Sequence, residues 1–195
     1  MEKIKWGIIG PGNIANNFAD GLKGSYSGQL VSIASKSEDR RKNFGDKYDI
    51  HSDFRFDSYE DIINSEHIDA IYISTPHTLH AEWTLKAAGK GKHILCEKPG
   101  ALNFNEGKEV IDAVREAGVF YMEGFMYRCH PQIPKLVEII KNKIIGDVIS
   151  IEASFGFDMG KTIPDHRLFN KNLAGGGILD AVSYTHLTLP TICSV

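Results

Sequence analysis

Ile4-Lys5-Trp6-Gly7-Ile8-Ile9-Gly10-Pro11-Gly12-Asn13-Ile14-Ala15 holds the transition on which the architecture turns. A short apolar run stops at Gly10, and Ile14, Phe18 and Leu22 then recur at helical spacing. The residues therefore predict a buried strand passing directly into a helix. The link between them is a Gly-x-Gly-x-x-Ala pattern in the strand–helix setting that a dinucleotide-binding βαβ unit requires. Gly10 permits the tight turn, Gly12 lets the backbone approach a pyrophosphate, and Ala15 allows close helix–strand packing. The helix start at Asn13 and Ile14 presents N–H groups and a partial positive charge to an anion.

Further along, strand-like and helix-like stretches keep alternating, as in a parallel sheet covered on both faces. Residues 30–34 read as a second strand, and Ser37 caps the helix that follows, with Glu38 and Asp39 in its first turn. Residues 69–74 read as a buried strand, 78–88 as its helix, and 93–96 as the next strand. Asn103 and Glu106 form a capping-box pattern ahead of Val110, Ile111 and Val114, and 119–122 give one more short strand. The expectation is an α/β domain, a Rossmann-type doubly wound parallel sheet, over residues 1–122. Beyond it, Ile133, Leu136, Val137 and Ile140 mark an amphipathic helix. Residues 149–157 then alternate strictly between apolar and small or polar side chains. A strand with one wet face belongs to an antiparallel sheet. Residues 123–180 are thus expected to begin an α+β domain whose mainly antiparallel sheet is incomplete.

Composition narrows the class. The chain has 195 residues, 42% hydrophobic and 24% charged, which is ordinary for a globular protein. A net charge of -3 gives no basic surplus for nucleic acid or an anionic membrane. No continuous apolar run is long enough to span a bilayer. Residues 1–6 hold no secretory apolar region. Three cysteines, Cys96, Cys129 and Cys193, lack CxxC spacing, so neither a disulfide framework nor a zinc knuckle is expected, and a reducing cytoplasmic location is.

Three strand ends carry the chemistry. An NAD enzyme usually places Asp or Glu at the end of the second strand to bind the ribose 2′-hydroxyl. Here that end reads Ala34-Ser35-Lys36-Ser37, with Arg40 one turn on. Small hydroxyls and two cations suit a 2′-phosphate, so NADP is expected, with NAD as the alternative. Ser74-Thr75-Pro76-His77-Thr78-Leu79-His80 lies at the carboxyl end of another strand, where open α/β sheets bind ligands. No acid or cysteine stands nearby to complete a ligand set with His77 and His80, so the segment reads as a cofactor-lining loop and no metal is expected. Cys96-Glu97-Lys98-Pro99 ends the next strand, where a carboxylate beside a lysine can also be a plain surface ion pair.

Several motifs taken together resemble the glucose–fructose oxidoreductase / inositol dehydrogenase / MocA family. They are residues 7–15, the Thr75-Pro76 loop with His80, Ala87-Ala88-Gly89-Lys90-Gly91-Lys92-His93, and the Glu97-Lys98-Pro99 triplet. Glu123-Gly124-Phe125-Met126-Tyr127-Arg128-Cys129-His130-Pro131 and Gly175-Gly176-Gly177-Ile178-Leu179-Asp180 extend the likeness. The resemblance implies an oxidoreductase that moves hydride between NADP and a CH–OH or carbonyl of a sugar, polyol or cyclic diol. It further implies that Lys98 manages the departing or arriving proton, Glu97 meets the nicotinamide-side ribose, and the bond before Pro99 is cis. Arg128 would close over the nicotinamide, and Asp180 would face the substrate as a second catalytic group. A homo-oligomeric full-length form is implied as well. The same family includes glycoside hydrolases that use a held NAD, and a non-catalytic nucleotide-binding regulatory module is a third reading. After Asp180 the family pattern stops. Residues 181–195 resemble one reading frame of a transposase adapter used to prepare sequencing libraries, and are expected to be a non-native tail that leaves the chain poorly active.

Overall fold

The computed structural model describes residues 2–152, 158, 160 and 168–177. The chain divides into two compact units, Met1–Glu123 and Gly124–Val195.

The first unit is a six-stranded parallel sheet. Its strands are β1 (Ile4–Ile9), β2 (Gly28–Ala34), β3 (Arg55–Phe56), β4 (Ala70–Ile73), β5 (His93–Cys96) and β6 (Tyr121–Glu123). Their spatial order is β3-β2-β1-β4-β5-β6, every neighbouring pair parallel. The order reverses between β1 and β4, and that is where a doubly wound sheet opens a crevice beyond its carboxyl ends. One register row crosses five strands there: Ala34 pairs with Ile9, Ile9 with Ile73, Ile73 with Cys96, and Cys96 with Glu123. The residues that follow β2, β1, β4 and β5, namely Ser35, Gly10, Ser74 and Glu97, are therefore delivered to one level.

Helices cover both faces because successive strand residues point to opposite sides. On one face Ile8, Ile33 and Tyr72 pack under α1 (Asn13–Lys23) and α2 (Glu38–Lys47), with Ala15, Ala19 and Phe44 as the helical contacts. On the other, Ile9, Ile71, Ile73, Ile94 and Cys96 pack under α3 (Tyr59–Asn64), α4 (His80–Ala88) and α5 (Phe104–Glu116). Gly7 leaves room for α3, since a Cβ there would lie 3.0 Å from the Ile62 side chain.

The sequence expectations hold for most elements, with shifts at their ends. The helix expected over 78–88 begins as a 3-10 turn at His77–Leu79 before α4. The last strand is Tyr121–Glu123, one residue past the stretch expected over 119–122, and the first compact unit includes it. Asn103 caps α5 by accepting from Glu106 N, while the Glu106 carboxylate reaches back to Leu102 N, one residue before the usual capping-box partner. β3 and α3 lie in a stretch that gave no sequence expectation. In the second unit the amphipathic helix is present as α6 (Gln132–Lys141). Of the strand expected over 149–157, residues 149–152 carry no strand ladder and 153–157 lie outside the described residues. The tail at 181–195 also lies outside them. Among the described residues no helix is long and apolar enough to cross a membrane.

Ser58 holds the start of α3, its hydroxyl accepting from the N–H groups of Glu60 and Asp61. Ser58→Ala is expected to lower unfolding free energy by about 1 kcal/mol, the usual value of such a cap. Denaturant titration checks this, and an unchanged midpoint would show that α3 is held by packing alone.

Candidate functional site

The glycine turn is built by close approach of two strand ends. Gly10 has φ +89°, and a Cβ on it would stand 3.0 Å from the Ser74 carbonyl oxygen and 3.1 Å from Thr75 N. Ser74 Oγ donates to the Gly10 carbonyl at 2.8 Å, tying the β4 end to the turn. A Cβ on Gly12 would meet nothing within 4 Å, so this glycine borders open space on the side a ligand approaches. α1 follows at Asn13, with Gly12 at its N-cap and no side-chain cap. The first intrahelical bond runs from Asn16 N to Gly12 O, leaving the N–H groups of Asn13, Ile14 and Ala15 ahead of it to face outward.

Charge separates α1 from its neighbours. Its first turn contains no acid, whereas α2 carries Glu38 and Asp39, α3 Glu60 and Asp61, α4 Glu82, and α5 Glu106. The other helices of this unit compensate their N-terminal dipole internally; α1 leaves it for an external anion. A glycine cradle, an uncompensated helix start and cations at the β2 end fit a dinucleotide.

At the end of β2 the predicted residues take different parts. Lys36 and Arg40 are exposed. Lys36 Nζ lies 5.8 Å from the centre of the Tyr59 ring. Arg40 acts on the same tyrosine, its charge opposing the burial that raises the Tyr59 hydroxyl above its usual pKa. Ser35 behaves differently from the expectation of a phosphate-binding hydroxyl. It is buried and its Oγ accepts from Ser37 N, so it shapes the turn. Arg41, to which the sequence assigned no role, donates from Nη1 to the Ser35 carbonyl at 2.6 Å and braces that turn.

The β4 loop is similarly divided. Pro76 is exposed, while Thr75, His77 and His80 are buried. His80, 0% exposed, cannot touch a ligand in this arrangement and is corrected from a cofactor-lining residue to an internal one. Its Nδ1 stands 2.8 Å from the Pro99 carbonyl oxygen and its Nε2 2.8 Å from that of Thr75. Among the described residues no group of three or more His, Cys, Asp or Glu converges.

At the end of β5, Glu97 and Lys98 are half-buried and Pro99 and Gly100 buried, with a cis bond between Lys98 and Pro99. Tyr72 reaches over from β4, stacked on Phe18 of α1, and donates to Glu97 Oε1 at 2.5 Å. From β6, Glu123 Oε1 accepts from Gly100 N at 2.8 Å. Sequence reasoning gave neither Tyr72 nor Glu123 a role of its own. Cys96, inside the sheet just before this turn, has its thiol pushed up to about 12 by burial, so it is an inert core residue. The structure thus joins Gly10, Ser74, Thr75, His80 and Pro99 through direct contacts, while Glu97 is held by Tyr72 and by its own N–H on the Ile73 carbonyl. Arg128 lies in the second unit, exposed in a 3-10 turn at Met126–Cys129, and Asp180 is outside the described residues.

Burial raises the Glu123 carboxyl above the usual range, the Gly100 N–H works against the shift, and the nearby Glu97 charge adds to it. An acid with a raised folded-state pKa binds its proton more tightly folded than unfolded. Its contribution to stability is complete at low pH and is lost as pH rises through the folded value. Between about pH 4 and about pH 7, the unfolding free energy of Glu123→Gln is therefore expected to gain on that of the parent. A difference flat across that window would show an unshifted carboxyl.

Comparison with known proteins agrees with this geometry. The family model of an oxidoreductase family with an NAD-binding Rossmann fold, Gfo/Idh/MocA, matches residues 4–125. A trans-1,2-dihydrobenzene-1,2-diol dehydrogenase of Xenopus tropicalis is 36% identical over 182 residues, 92% of this chain and 54% of that protein. A D-xylose 1-dehydrogenase (NADP(+)) of Haloferax volcanii is 34% identical over 192 residues, 96% of this chain and 58% of that protein. The crystal structure of a 3-ketoreductase from Actinomadura kijaniata in complex with NADP superposes with a TM-score of 0.68 at 31% identity, covering 74% of this chain and 46% of that one. This chain therefore spans about half the length of the curated relatives it matches. With its glycine turn, reversed strand order and Glu-Lys-Pro strand end on the matched segment, the chain belongs to the Gfo/Idh/MocA oxidoreductase family.

Proposed function

We propose that this chain is the nucleotide-binding part of an NADP-dependent dehydrogenase or reductase acting on a CH–OH group or its carbonyl in a sugar, polyol or cyclic diol. The observation that carries the proposal is the common level of two strand ends. The Gly10–Gly12 cradle at the end of β1 and the Glu97-Lys98-Pro99 turn at the end of β5 flank the β4 end on either side. When bound, the nicotinamide supplies or accepts the hydride. The chain's own residues do the rest. The N–H groups at the start of α1 hold the pyrophosphate, and Gly12 leaves room for it. Lys36 and Arg40 hold the 2′-phosphate through charge-assisted bonds. Glu97, fixed by Tyr72, turns toward the nicotinamide-side ribose. Lys98 gives or takes the proton at the substrate oxygen while the carbon changes oxidation state, a task that needs a positioned ammonium or amine within hydrogen-bond reach.

The relatives named above act on a dihydrodiol and on xylose, and that supports the substrate class. Arg128 and Asp180 are the further site residues that the family resemblance implies, in a homo-oligomeric, cytoplasmic enzyme.

Replacing both Lys36 and Arg40 by Ala is expected to weaken NADP binding by about 10- to 100-fold, the worth of one or two bonds to a charged group. NAD binding should scarcely change. Fluorescence titration with each dinucleotide checks it, and an equal effect on both would remove the two cations from the 2′-phosphate. In the complete enzyme, Lys98→Ala is expected to abolish most turnover while sparing the NADP dissociation constant. Near-normal turnover would take the proton-transfer role away from Lys98.

A further inference from the structure

Two groups outside the proposed catalytic set grip a single peptide. The carbonyl of the Pro99–Gly100 peptide faces His80 Nδ1 at 2.8 Å, and the N–H of the same peptide donates to Glu123 Oε1 at 2.8 Å. Space confirms how tightly the unit is enclosed, because a Cβ on Gly100 would collide with the Tyr121 hydroxyl and stand 3.4 Å from the Glu123 carboxyl carbon. This peptide begins one residue after Lys98. We propose that His80 and Glu123 are positioning residues for Lys98, acting through the Pro99–Gly100 peptide, and that His80 ties this turn to the cofactor loop as a doubly protonated imidazolium.

The protonation state follows from donor counting. His80 Nε2 stands 2.8 Å from the Thr75 carbonyl oxygen while Nδ1 faces that of Pro99. Carbonyl oxygens only accept, and a neutral imidazole has one N–H. A neutral ring would set a bare lone pair against an oxygen at hydrogen-bond distance, a repulsive contact inside the protein. With both nitrogens protonated, each contact becomes a charge-assisted bond, which offsets part of the cost of burying the ring. His77 is the ring neighbour, 5.7 Å away between centroids. The clamp spans two loops with different tasks. The Thr75 carbonyl belongs to the loop against Gly10, and the Pro99 carbonyl belongs to the Lys98 turn. One side chain thereby sets the distance between the dinucleotide cradle and the proton-transfer group, while Glu123 fixes only the second.

The proposal rests on the reading of Lys98 given above, and the test separates them. In the complete enzyme, Glu123→Ala is expected to lower kcat roughly 100-fold, the scale of a misplacement of about 1 Å. NADP affinity should be unchanged, and Glu123→Gln, which keeps an acceptor oxygen, should regain most of the loss. His80→Ala is expected to lower kcat and to weaken NADP binding together, since both loops are released. Nitrogen-15 spectra of the unmutated chain at neutral pH should show both His80 ring nitrogens protonated, a readout that does not depend on whether a variant folds. A neutral His80 tautomer overturns the clamp. So does an unchanged kcat in Glu123→Ala and His80→Ala when Lys98→Ala abolishes turnover. Full activity of Lys98→Ala overturns the underlying reading of Lys98, and with it the positioning claim, whatever the spectra show.

Discussion

Ile9 sits at the crossing of two ladders, paired with Ala34 on one side and Ile73 on the other. Ile73 in turn pairs with Cys96, and all four residues are 0% exposed. In a parallel sheet a one-residue slip would send each of these side chains to the opposite face. Here the slip would trade the Ile9 and Ile73 core beneath α3 and α4 for that beneath α1 and α2, so burial fixes the register. The functional residues stand one step beyond this row. Gly10, Ser74 and Glu97 reach a common level because the hydrophobic side chains just behind them cannot move. A register shift between Trp6 and Gly7 in the pairing with β2 is absorbed before the row, and the pairing of Ile9 with Ala34 survives it.

Past that row the hydrophobic driving force ends and polar bonds take over. The chain leaves β2, β1 and β5 at neighbouring strand ends, and four places just past them are each braced by a bond from a neighbour. Ser35 is braced by Arg41, Gly10 by Ser74, Glu97 by Tyr72, and the Pro99–Gly100 peptide by His80 and Glu123. These groups are buried or half-buried, where a missing partner costs about 1–3 kcal/mol, so each bond strongly favours one geometry. The thiol of Cys96 lies among them yet stays protonated, because burial opposes its ionisation more than the Thr84 hydroxyl assists it. A reactive cysteine needs the reverse balance.

This division between core and brace explains what the sequence made legible. Gly10 and Gly12, the Ile and Val runs of the strands, the Ser37 cap and the Asn103–Glu106 pair announce themselves locally, since turn chemistry and periodicity act over a few residues. β3 does not. It is two residues long, and Arg55 and Phe56 become a strand only through pairing with Ile33 and Ala34. The apolar run predicts the last strand only through 122, yet Glu123 stays in the ladder opposite Cys96. Side-chain direction is the least local property of these loops. Sequence put Ser35 and His80 on the right loops, but adjacency to a ligand loop does not say whether a side chain points out of it or into the protein. For the same reason nothing local in the sequence shows that Arg41 turns back to the Ser35 carbonyl.

The cofactor preference follows from where charge is spent. A helix start at the carboxyl end of a sheet attracts an anion, and the acids in the first turns of α2 to α5 supply one from the chain itself. That leaves α1 as the start, within this unit, with an unspent dipole. At the β2 end the balance is finer, since Glu38 and Asp39 stand beside Lys36 and Arg40. The two acids occupy the first turn of α2, whose N–H groups already stabilise negative charge there, and Ser37 has taken the capping bond to Arg40 N. Arg41 is committed to the Ser35 carbonyl. Lys36 and Arg40, both exposed, stand at this strand end to meet a phosphate, and the strand end itself carries no carboxylate to take a ribose hydroxyl in its place.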